Sequence, residues 1–273
     1  MGVFSNRSTT CEECGHIYDK GFYECPKCHK ENPNGNPESR NLPTQFMPNI
    51  SQLYLFLTGL IGLQVLAVIF SLIASAITGV SEDVPLTTQL LILSASYFAC
   101  VAIEILIAKN YLSYIVKTFI NKDIYIYVAV GVICLYTFDL LYGIISQSLW
   151  PDIPENVNQT LAIDMIKSNP YLMFFVICLL GPISEEFAYR VGIFGLIKKY
   201  NKVIAYVVSI AIFALIHIDF SSSDLLSEFI SLPSYIFAGA LFTYIYDKKG
   251  FAASFLAHSL GNTISFILIL LSV

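Results

Sequence analysis

The chain has 273 residues, 56% of them hydrophobic and only 13% charged, with a mean hydropathy of +0.67 and a net charge of -5. Globular chains carry about 25% charged residues, so this composition excludes an ordinary soluble domain. The acidic balance also leaves no basic footprint for nucleic acid.

Residues 1–30 form a polar head with no signal-peptide pattern. Four of the seven cysteines lie in it, as Cys11-x-x-Cys14 and Cys25-x-x-Cys28. Two such knuckles each offer two thiolates to one tetrahedral ion, so the head reads as a zinc ribbon with a closed structural site. Gly15 and Pro26 suit tight knuckle turns; His16 and His29 are adjacent but not required. Free thiols or two disulfides are the other readings. Residues 31–48, rich in Pro, Asn and Gly, read as a linker.

Residues 49–273 read as the membrane part. Apolar segments fall near 51–79, 87–108, 124–149, 170–197, 203–218, 230–246 and 250–272, each close to the ~20 residues a bilayer span needs. Residues 110–122 read as an amphipathic connector at the interface. The expected fold is therefore all-α: a polytopic transmembrane bundle of about seven spans with a small N-terminal zinc-ribbon head. One set of loops holds Lys109, Lys117, Lys122, Lys198, Lys199, Lys202, Lys248 and Lys249, while the other set holds Lys167 and many acids. The positive-inside rule puts the first set in the cytoplasm. The N-terminus is then inside and the C-terminus outside, and reduced zinc-binding thiolates fit the same side.

Polar groups inside the spans carry the chemistry. Glu185, Glu186 and Arg190 interrupt an apolar stretch, where each charge costs about 2.5–3.5 kcal/mol on insertion scales. Glu186 and Arg190 stand at i, i+4 and can pair on one helix face. Glu185 points about 100° away, leaving it as the free carboxylate and the candidate general base. Phe213-x-x-x-His217 and His258-x-x-x-Asn262 follow. His258 and Asn262 share a helix face, where an imidazole and a carboxamide can donate to an oxyanion. At ~1.5 Å per residue, Glu185, His217, His258 and Asn262 all lie roughly 12–21 Å from the lysine-bearing ends of their helices. Glu104 and Asp139 also lie in spans and read first as packing groups.

Taken in order, Glu185-Glu186-x-x-x-Arg190, Phe213-x-x-x-His217 and His258-x-x-x-Asn262 resemble the three-motif signature of the CAAX-protease and bacteriocin-processing (Abi) family, which includes the type II CAAX prenyl endopeptidases. The resemblance covers about residues 165–272. It implies an intramembrane endopeptidase in which Glu185 activates water with His217, while His258 and Asn262 stabilise the oxyanion. Glu186 and Arg190 keep the supporting role argued above. Family members are described both as metal-free glutamate proteases and as metalloproteases. A catalytic zinc at Glu185, His217 and His258 is thus the alternative to metal-free chemistry. The implied partners are the lipid bilayer and a membrane-associated peptide or protein substrate; the zinc head lies outside the resemblance and reads as a module for a cytoplasmic protein partner. Rival readings are a non-catalytic immunity or scaffold protein of the same fold, and a cation or proton transporter.

Overall fold

The computed structural model describes residues 8–25, 27–79, 84–152, 154 and 156–272; Pro26 lies outside them. The head opens with an antiparallel pair, β1 (Ser8–Thr10) and β2 (Ile17–Asp19), in register Thr9 opposite Tyr18. The loop between them carries the first knuckle, with Gly15 at φ 66°. Helices follow: α1 (Asn49–Thr78), α2 (Leu86–Ala108), the short α3 (Leu112–Thr118), α4 (Asp123–Leu149), α5 (Val157–Ser168), α6 (Pro170–Lys198), α7 (Lys202–Leu215) and α8 (Leu225–Leu271). The fold is a helical membrane bundle. Among the described residues, five helices (α1, α2, α4, α6 and α8) are long and apolar enough to cross a bilayer, and α7 is a shorter apolar helix.

Helix α8 is two segments rather than one. Gly250 has φ 78° and ψ -170°, a conformation that an L side chain avoids and glycine tolerates. The chain reverses there. Phe242 stacks on His258 at 4.4 Å between ring centroids. A continuous helix would hold residues sixteen apart at about 24 Å. The break therefore makes two antiparallel segments, and with the short α7 the seven apolar segments read from sequence each have a counterpart.

The segment 31–48 is packed rather than free. Residues Pro37–Arg40 and Pro43–Phe46 form 3₁₀ turns. Met47 is fully buried in a cluster with Leu55, Phe187, Val191, Phe194, Tyr246 and Phe251. Gln45 Nε2 donates to the carbonyls of Tyr246 (3.1 Å) and Asp247 (3.4 Å), and Thr44 Oγ1 bonds Tyr246 Oη at 2.9 Å. These carbonyls precede the break at Gly250, where the helical ladder no longer serves them. The composition signalled a linker because Pro and Asn break helices. It did not signal that 3₁₀ turns would cap another helix. The head itself rests on α3 through Phe22, whose ring lies 5.5 Å from Tyr111 and 5.9 Å from Tyr114.

Lysines gather at this end of the bundle. Asp247 Oδ1 pairs with Lys198 Nζ at 2.7 Å, and Oδ2 with Lys202 Nζ at 2.6 Å. Lys117 reaches Glu24 of the head at 3.7 Å. The outer faces of α1, α2 and α4 carry exposed Leu72, Ile77, Leu91, Leu106, Ile133 and Leu140. That pattern suits lipid contact, because hydrocarbon removes the cost of exposing apolar side chains.

Candidate active site

Helix α6 is not a regular α-helix around its charges. Residues Val176–Leu180 and Glu186–Phe194 are π-helical, a widened i→i+5 turn that often accompanies functional sites. Gly192 packs against α1. A Cβ there would meet the backbone of Phe56, so only hydrogen fits. This close crossing holds the wide turn and the groups it carries.

Glu186 and Arg190 are both fully buried and pair with Nε to Oε2 at 3.6 Å. The i, i+4 ion pair expected from spacing is present, but it is loose. Among the described residues, none of the three guanidinium nitrogens of Arg190 has a hydrogen-bond acceptor. The cation instead lies over Phe213 at 4.3 Å and Phe242 at 5.7 Å from the ring centroids, where aromatic quadrupoles attract it. Glu186 has further partners that the local sequence did not reveal. Its Oε1 takes His258 Nδ1 at 3.0 Å, and its Oε2 accepts from Ser254 Oγ. Ser254 stands one helical turn before His258, and Ser254 Oγ also reaches Phe242 O. The only sequence signal for it was a small polar residue at i-4 from a span histidine.

Glu185 is the less committed carboxylate. Its side chain is 20% exposed, and His258 Nε2 lies 3.8 Å from its Oε2. That oxygen has no hydrogen-bond partner among the described residues. His258 therefore bridges the two glutamates, with Nδ1 toward Glu186 and Nε2 toward Glu185. The residue before Glu185 is anchored too: Ser184 Oγ donates to Glu104 Oε1 of α2 at 2.9 Å. Glu104 thus bonds a neighbouring helix, as its packing role required.

His217 falls just beyond the end of α7, in a turn rather than in the span. Its Nδ1 lies 2.7 Å from Phe213 O. That carbonyl would otherwise accept the His217 backbone N–H in a continuing helix, so the side chain caps the helix end. A carbonyl only accepts, which places the proton on Nδ1 and a lone pair on Nε2 in the neutral ring. Phe213 links the histidines: its ring is 4.9 Å from His217 and 6.0 Å from His258.

Asn262 Nδ2 donates to Ile177 O at 2.9 Å, and Ser259 Oγ to Cys178 O at 2.6 Å. Both carbonyls lie in the first π-helical turn of α6. The amide of Asn262 thus has one N–H engaged in holding helices together and one left over. Glu185, Glu186, Arg190 and His258 form one contiguous cluster, while His217 joins through Phe213 and Asn262 through α6.

Metal fit differs between head and bundle. Cys11 and Cys28 sulfurs are 3.4 Å apart and Cys14 and Cys25 sulfurs 3.6 Å, and all four ligand atoms lie within 4.8 Å of one another. A zinc–sulfur bond of about 2.3 Å gives tetrahedral edges of about 3.8 Å. A disulfide needs about 2.05 Å, so these are free thiols arranged as a ligand set. The four thiols shift one another's ionisation in opposite directions. The Cys14 backbone N–H brings Cys11 down to about 7, whereas Cys28, although favoured by the Lys30 N–H, is pushed up to about 12 by burial and by the other sulfurs. A bound cation removes that conflict. Glu185, His217 and His258 form no comparable group: among the described residues, only the four cysteines bring ligand atoms this close.

The fold and cluster define the class: a helical membrane protein with buried carboxylate–histidine chemistry and a four-cysteine head. Residues 167–264 match the family described as Rce1-like, type II CAAX prenyl endopeptidase Rce1-like. That segment holds Glu185, Glu186, Arg190, His217, His258 and Asn262. At the level of the family, the match supports an intramembrane endopeptidase acting on a membrane-associated substrate. No curated protein and no solved structure matches the chain.

Proposed function

We propose that this protein hydrolyses a peptide bond of a membrane-associated protein or peptide, with Glu185 as the general base. One observation carries the assignment. Of two adjacent carboxylates, Glu186 is saturated by Arg190, His258 and Ser254, while Glu185 keeps an unpartnered oxygen facing His258 Nε2. A base must have a free lone pair at the water it deprotonates.

The steps follow from the donor pattern. Glu185 takes a proton from water as the oxygen attacks the scissile carbonyl. His217, with Nδ1 tied to a carbonyl, accepts from the same water on its Nε2 lone pair; as the intermediate collapses and the C–N bond breaks, the proton held by Glu185 passes through His217 Nε2 to the leaving amine. His258, in its doubly protonated form, presents Nε2–H to the tetrahedral oxyanion while Glu186 holds Nδ1. The free N–H of Asn262 is the second oxyanion donor. Glu186 and Arg190 act by holding His258 in place. Residues 1–30 are assigned as a zinc ribbon with Cys11, Cys14, Cys25 and Cys28 as ligands, facing the cytoplasm and suited to a protein partner there. The lysine-rich end is assigned to the cytoplasm and the C-terminus to the opposite side.

The test is cleavage of a reporter peptide ending in a farnesylated cysteine plus three residues, beside its unprenylated twin, by wild type and Glu185→Gln in detergent. Cleavage that requires Glu185 supports the reading. Equal cleavage by both proteins removes Glu185 from the mechanism. No cleavage of either peptide by wild type favours the scaffold reading.

A further inference from the structure

Tyr235, on the first segment of α8, has no place in the three motifs, yet it contacts the site directly. Its ring stacks on His217 at 4.6 Å between centroids, with 20° between planes. Phe213 closes the other approach at 4.9 Å. The imidazole is thus held by two aromatic rings and by the Phe213 carbonyl on Nδ1. The Tyr235 hydroxyl accepts from Asn156 Nδ2 at 3.2 Å and from Asn158 Nδ2 at 3.0 Å. Asn156 is itself buried and caps α5, its Oδ1 accepting the Gln159 N–H at 2.8 Å.

A second group ties the same pieces together. Glu228, fully buried, accepts the Val157 N–H on Oε1 at 2.8 Å and the Asp219 N–H on Oε2 at 3.1 Å. Asp219 is two residues beyond His217. The turn that carries His217, the start of α5 and the start of α8 are therefore joined at Glu228 and at Tyr235. His217 needs such support because α7 ends before it and supplies no helical backbone to fix it.

We propose that Tyr235 is a positioning residue that sets the ring plane of His217 and links it, through its hydroxyl, to Asn156 and Asn158 at the start of α5. Its part in catalysis rests on the peptidase reading; its hold on the imidazole does not. A ring free to rotate about χ2 takes Nδ1 off the Phe213 carbonyl and puts a ring carbon where Nε2 stood at the reacting position. Loss of the stack then costs turnover rather than binding, since misplacement of about 1 Å costs about 10²-fold.

The full-length protein in detergent micelles, labelled with ring-¹⁵N histidine, provides the test. It has four histidines, so His217→Gln assigns the resonance. Wild type is expected to show the Nδ1–H tautomer alone for His217. Tyr235→Phe keeps the ring and is expected to keep that signature, with reporter cleavage within about threefold of wild type. Tyr235→Met fills the space without a ring and is expected to show both tautomers in exchange. Its kcat should fall about 10²-fold with KM nearly unchanged. An unaltered Nδ1–H signature in Tyr235→Met overturns the proposal, whether or not cleavage falls. So does a signature lost equally in Tyr235→Phe and Tyr235→Met, because the stack is then not what holds the ring. If Tyr235→Met does not fold, Tyr235→Leu, which also lacks the ring, decides by the same spectrum: an unaltered Nδ1–H signature for His217 there overturns the proposal. Wild type that cleaves nothing overturns the peptidase reading, and the spectra still judge the ring.

Discussion

The cysteine head and the membrane cluster are both polar sites, but they are assembled in opposite ways. In the head, four sulfurs from one 18-residue stretch, Cys11 to Cys28, converge within 4.8 Å. A hairpin and two tight turns suffice. In the membrane, Glu186 meets His258 from 72 residues away, and His217 is held by a tyrosine on yet another segment. Short loops close at little entropic cost, so a local ligand set can be read from spacing. A cluster built from distant helices depends on how those helices pack.

The sharpest way to break this comparison is at the carboxylate left free by packing. Glu185→Gln should lower cleavage by about 10³-fold, within the range general bases contribute, and leave thermal unfolding in detergent unchanged. A fully active variant would move the base elsewhere. Next in size is the saturated carboxylate. Glu186→Ala or Arg190→Ala strands a buried charge and should cost about 3–5 kcal/mol of stability. The double variant should lose less than the sum, because the two residues share one interaction. Denaturation curves of the singles and the double decide it, and stable but inactive singles would place both in the chemistry instead.

A smaller effect belongs to the seam between the regions. Gln45→Ala removes the donor to two carbonyls beside the Gly250 break and should cost about 1–3 kcal/mol. A melting temperature unchanged from wild type would show that water serves those carbonyls equally well. Least of all for the bundle is the head's own metal. Cys11→Ser should drop bound zinc from one per chain to near none by elemental analysis, while cleavage falls by less than about threefold, under 1 kcal/mol of barrier. A larger loss would mean that the ligand set acts on the membrane site through residues 41–47.

Much of the site was legible because burying an ionisable group in a span is costly and so conspicuous. Glu185, Glu186, Arg190, His217 and His258 all stood out against apolar neighbours. Their partners did not. Ser254 and Tyr235 look like ordinary residues of an apolar helix, and only the reversal at Gly250 brings Ser254 to Glu186. The 3.6-residue repeat placed Arg190 beside Glu186, but it did not anticipate the π-helical turns. Those turns coincide with the packing of α1 on Gly192 and with the α6 carbonyls that Asn262 and Ser259 take.

What the sequence by itself determined was chemistry that depends on composition and short spacing: a membrane-spanning helical chain, a four-cysteine ligand set, and the order of three polar motifs. Hydropathy and helical periodicity are sums over neighbours, so they survive without a fold. The tertiary structure alone decided that His258 and Ser254 join Arg190 on Glu186, that residues 41–47 cap a broken helix, and that His217 stands past its helix end under Tyr235. Each of these depends on a hydrogen bond or ring contact between residues far apart in the chain, and only packing sets which distant groups meet.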